Sequence, residues 1–167
     1  MRGSSVSWKD RLRDARLRAH SGRLIRQLAP QIPLSVSALC ELLGDLRGTP
    51  ITLVEWDLPS QGPFGVLISR AGEDVIAYQA KTTKAHQAHI ILHEVGHLVA
   101  DDLAGGRQSR TQPRTSHSDR DERDAEIIAS TIMTHALSMS RHAKSYDLDA
   151  PWQPSVYNSL VISDGTP

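Results

Sequence analysis

The sequence predicts an α+β domain in which a small three-stranded sheet packs against helices. Three short β-branched runs cluster between residues 51 and 78, and stretches with helical apolar spacing lie before and after them. A third observation concerns Ile90 to Val99, IILHEVGHLV, which sets two histidines and a carboxylate inside an otherwise apolar helix. Each of those polar groups carries a desolvation cost that something must offset.

At 167 residues the chain is long enough for one real core. Only 4% of it is aromatic, so that core must be mostly aliphatic. Cys40 is the sole cysteine, which excludes an internal disulfide and any thiolate cluster; a bound metal would have to be held by imidazole and carboxylate. No run approaches the roughly 18 to 20 apolar residues of a membrane span, and the opening MRGSSVSWKDRLRD has no apolar signal stretch. A cytoplasmic protein without a membrane partner is therefore expected.

The net charge is zero but unevenly spread. Residues 1–26 carry eight Lys/Arg against two Asp, leaving eleven basic and seventeen acidic residues afterwards. The basic front reads as a solvated helix face that complements the acidic remainder. Direct nucleic-acid binding is not expected, because the front lacks a helix-turn-helix signal or interleaved aromatics.

In chain order, residues 1–34 form an N-terminal basic helix unit. Trp8, Leu12, Ala15, Leu24, Ile25 and Leu28 give a weak apolar face, and Pro30 stops the helix. Residues 35–144 form the functional domain. It opens with a helix over 36–46, with Ser35 to cap it and Gly48 just past its end. Three strands follow at 51–56, 66–69 and 75–78, the last two joined by a short hairpin loop at 71–74. Thr83 caps a helix that runs through Ala104 and ends at Gly105-Gly106. Residues 107–119 have no apolar periodicity and are expected to form a mobile surface loop. A last helix over about 121–142 turns Ala125, Ile128, Ala129, Ile132, Met133 and Ala136 inward, and 145–167 is a tail.

His93 and His97, four apart on a helix, point the same way about one 5.4 Å turn from each other, which suits two ligands of one tetrahedral zinc. Glu94 is displaced by roughly 100°, near enough to take a proton from water at the metal's open side without ligating the ion. A glycine in a helix costs about 1 kcal/mol against alanine, so Gly96 implies another backbone packed closely there. A chance match to this pattern arises in on the order of one chain in a hundred.

A catalytic zinc needs a third protein ligand. The extended motif with a nearby third histidine is excluded, since this chain has Ala100 and Leu103 where that motif needs glycine and histidine. Asp101 and His89 each lie about 12 Å along the axis from the farther motif histidine, too far to share its ion. The last helix offers Glu122 and Glu126 on one face, with Asp124 pointing away. Glu122 as ligand would leave Glu126 to accept a hydrogen bond from a ligand histidine; the reverse assignment stays open. His86 and His89 share the face of His93 and are candidates to line a cleft. His135 and His142 fall on the far side of the last helix from Glu122, and His117 lies in the loop. Tyr78, at a strand end before the helix, is a candidate to line the site, but packing in the core is the expected outcome.

Apolar-apolar-Leu-His-Glu-Val-Gly-His-Leu, followed by Glu-x-x-Ala-Glu-x-x-Ala-Ser on a later helix, resembles the ImmA/IrrE family of zinc metallopeptidases. Leu-Pro-Ser-Gln-Gly-Pro-Phe-Gly and His-Gln-Ala-His look like its actinobacterial members, and the similarity covers roughly residues 35–142. The resemblance implies a gluzincin-like α+β domain, with a zincin-like active-site helix and a C-terminal ligand helix. Zinc would be held by His93, His97 and Glu122, with Glu94 as catalytic acid and base. It also implies a protein substrate, a repressor or antitoxin-like regulator of helix-turn-helix type. The competing expectation is a non-catalytic regulator of the same fold that binds such a partner.

Overall fold

The computed structural model describes residues 7–28, 35–59, 61–105 and 118–144, with the side chains of 136–144 excepted. Most of the expected 107–119 loop, with His117, the tail over 145–167, and the side chains of Ala136 and His142 lie outside them. Four helices and one sheet follow in the order α1 (Trp8–Leu28), α2 (Val36–Arg47), β1 (Ile51–Trp56), β2 (Gly65–Arg70), β3 (Glu73–Gln79), α3 (Lys84–Leu103) and α4 (Asp119–Lys144). The α+β class is as expected.

Local chemistry sets several boundaries. The Ser35 hydroxyl accepts from the Ala38 N–H at the start of α2, and Gly48 closes that helix in the left-handed region at φ 64°. Thr83 likewise accepts from the His86 N–H and opens α3. Ala71 and Gly72 make the tight turn between β2 and β3, with Gly72 at φ 84°.

The sheet order is β1-β3-β2. β1 runs parallel to β3 and β2 antiparallel to it, so Leu53, Ile76 and Leu67 sit side by side across the three strands. β2 is consequently an edge strand. α3 packs on β2 and β3 on one side and on α4 along its length. Its start is fastened to the sheet by the buried Gln87 amide, which donates to the carbonyls of Gln79 at 3.0 Å and Ala80 at 3.1 Å.

The core is aliphatic, as the composition requires: Ile76, Val95, Leu98 and Ile128 are fully buried. On α4 the inward stripe is Ala125, Ile128, Ala129 and Ile132. α1 shares this core through Leu17, Leu24, Ile25 and Leu28. It is bound to α4 by reciprocal ion pairs, Arg13 with Asp124 and Arg123 with Asp14. Trp8 and Leu12, expected on its apolar face, instead remain 66% and 50% exposed, at the end of the helix that precedes its buried stripe. Tyr78 packs against the core, as expected.

Gly96 has the close backbone neighbour that its helical position demands. A Cβ there would run into the Ala125 carbonyl, so α3 and α4 cross with their backbones nearly in contact. That crossing brings the first turn of α4 over the histidines of α3.

Candidate metal centre

α3 supplies two imidazoles from adjacent turns. Their rings meet edge to face, 4.9 Å between centroids and 81° between planes, with the two Nε2 atoms 3.2 Å apart. α4 supplies the third group: the Glu122 carboxylate lies 3.1 Å from His93 Nε2 and 3.6 Å from His97 Nε2. Among the described residues, His93, His97 and Glu122 form the one cluster of three such donors within 4.8 Å of one another.

The spacing fits a metal ion. Ligands held tetrahedrally by bonds of about 2.0–2.1 Å stand about 3.3 Å apart, and the three observed separations bracket that value. Two imidazoles and one carboxylate form a donor set for a borderline transition ion, whereas calcium or magnesium would call for oxygen throughout.

Glu126, the other carboxylate on this face, lies on the far side of the ring. It is 3.6 Å from His93 Nδ1 and 3.8 Å from His89 Nε2. With Nε2 of His93 turned to the cluster, Nδ1 faces Glu126, the position of a group that fixes a ligand's orientation. The geometry thus sets Glu122 on the Nε2 side of His93 and Glu126 on its Nδ1 side.

Glu94 is 8% exposed and accepts no hydrogen bond from any described residue. Burial pushes its carboxyl up to about 7; His93 opposes the shift and Glu122 adds to it. A carboxyl held near neutrality suits a group that must both accept and return a proton. The buried Cys40 thiol, by contrast, is pushed up to about 12 and takes no part in such chemistry.

These groups open into a cleft of about 480 Å³. His86 and His89 line it, and His86 is held by the Thr82 hydroxyl at 2.9 Å and packs against Phe64. The opposite wall is the start of β2, Gly65 to Leu67. Tyr78 does not line the cleft. His135 is remote from it, beside Gly22 of α1.

Two contributors escaped the sequence reading. Phe64 was hidden in a turn-rich segment. Gly65 is required by space: a Cβ there would stand 2.6 Å from Glu94 Oε1 and 2.6 Å from Ile90 Cγ2. A glycine opening a β-branched run is the signal that could have found it, since such a residue marks a close approach.

No protein-family model matches the chain, and no curated protein matches it significantly.

Proposed function

We propose that the protein is a zinc-dependent endopeptidase that cleaves a regulatory protein. The observation that carries this reading is the convergence of His93, His97 and Glu122 beside a buried carboxyl, Glu94, that holds no hydrogen bond with any described residue. Zinc on those three donors would polarise a carbonyl and acidify water. The rest is the work of side chains and backbone. Glu94 takes the proton of the attacking water and passes it to the leaving amine. Glu126 holds the His93 ring through its Nδ1 side. β2, an edge strand in the cleft wall among the described residues, offers its free edge to an extended substrate, which would add to the sheet as a further strand.

The resemblance of residues 35–142 to ImmA/IrrE peptidases supports a repressor or antitoxin-like substrate of helix-turn-helix type, and with it a cytoplasmic setting. Among the described residues, no helix is long and apolar enough to cross a membrane.

The test is Glu94→Gln in the full chain, incubated beside wild type with helix-turn-helix regulator proteins of the same genome. The variant should bind zinc at the wild-type stoichiometry and lose cleavage by a factor on the order of 10² to 10⁴. Cleavage at the wild-type rate would remove Glu94 from the chemistry.

A further inference from the structure

Beyond the cleft, a second concavity of about 680 Å³ lies between the start of α1, the end of α3 and the first turn of α4. Its apolar part is Trp8, Leu12 and Leu103, which are 66%, 50% and 43% exposed. Its rim is basic. Lys9, Arg16 and Arg23 recur every seven residues along one side of α1, and Arg120 faces them from α4. All four are exposed, and none has an ion pair with a described residue, unlike Arg13 beside them, which is committed to Asp124. Lys9 to Arg23 makes a stripe about 21 Å long.

The concavity and the cleft are neighbours. Ala104 lies in the concavity and His97 in the cleft, seven residues apart and so on nearly the same side of α3, about 10 Å along its axis. On α4, Arg120 and Glu122 are two residues apart and so point to opposite sides of its first turn, one to each site.

We infer that this groove is a docking site for an acidic, amphipathic segment of the protein substrate, engaged next to the segment that enters the cleft. The inference rests on the peptidase reading for its substrate, though not for the chemistry of the groove. Four cations without an ion pair among the described residues call for an acidic ligand, and three exposed apolar side chains call for one that also brings an apolar face. A nucleic-acid duplex satisfies only the first requirement, since its phosphate backbone has nothing to place on Trp8, Leu12 and Leu103. Residues 106–117, which join α3 to α4, carry three arginines and no acidic or large apolar residue, so their chemistry does not match the groove.

The experiment uses the full-length, zinc-loaded Glu94→Gln protein, so that binding is read without turnover. Fluorescence anisotropy follows a labelled synthetic peptide with Glu along one helical face and Leu along the other, its charge-reversed counterpart, and a labelled DNA duplex. The acidic peptide should bind. Arg16→Glu with Arg23→Glu should weaken it about tenfold or more, whereas Arg11→Glu with Arg18→Glu, an equal charge change on the same helix outside the groove, should weaken it less than about twofold. With otherwise wild-type enzyme and a cleaved substrate, the groove pair should raise KM and leave kcat unchanged. Equal weakening by the two pairs, tighter binding of the duplex or of the basic peptide, or no binding at all would overturn the inference. A photo-crosslinker at position 12 should capture the added peptide; capture of the chain's own residues 145–167 would overturn it in favour of an internal occupant. Absence of proteolysis by the wild-type, zinc-loaded enzyme, with peptide binding kept, would count against the peptidase reading alone.

Discussion

Burial changes what Glu94 can do. Its carboxyl is raised from 4.5 to about 7, so the folded chain holds that proton more tightly than the unfolded chain does. Its contribution to stability is therefore complete below about 4.5 and is lost as pH rises through about 7, on the order of 3 kcal/mol in all. Urea unfolding of the metal-free protein at about pH 5 and pH 8 should show this loss, and Glu94→Gln should show about 3 kcal/mol less of it. Identical pH dependence in the two proteins would contradict the assignment. A bound dication favours the charged carboxylate, so the acidic limb of activity should fall below 7 in the loaded enzyme. Gly65 acts on the same group by leaving it room. Gly65→Ala would press on both Glu94 and Ile90, and it should lower kcat about 10²-fold while zinc stoichiometry is kept. Full activity in that variant would show that the strand can retreat without harm.

Between elements, the crossing of α3 and α4 is the decisive contact, and Gly96 makes it. Helix propensity alone would favour Gly96→Ala by about 1 kcal/mol. The added methyl, however, meets a backbone carbonyl of the opposite helix and not a side chain that can rotate away. Overpacking should win, costing a net of about 2 kcal/mol or more in chemical denaturation and weakening zinc affinity as Glu122 is pushed from the histidines. A variant as stable as wild type would mean that the helices can separate freely. Most elements were legible in the sequence because their signals are local: Ser35, Thr83 and Gly48 cap helices wherever the rest of the chain goes. The sheet order was not. β1 pairs in parallel with β3, leaving β2 at the edge, and that choice depends on contacts between distant residues which no local pattern encodes.

At the scale of the whole molecule, the site is an intersection of three elements. His93 and His97 were legible because one helix holds both, and the need for a carboxylate from afar followed from the reach of that helix. Which glutamate lies with them was open until the crossing angle of α4 was known, because Glu122 and Glu126 share a face and differ only by one turn. α1 adds a layer that the sequence suggested as a separate basic unit. Its leucines enter the common core, while its first turns keep Trp8 and Leu12 exposed at the second groove.

The central claim is that His93, His97 and Glu122 hold one ion while Glu126 only steadies a ligand. Zinc affinity measured by chelator competition for wild type, Glu122→Gln and Glu126→Gln tests it most directly. Glu126→Gln should bind about 10- to 100-fold more weakly than wild type, and Glu122→Gln should be the weaker of the two variants. Wild-type affinity in Glu122→Gln, with binding lost in Glu126→Gln, would contradict the account.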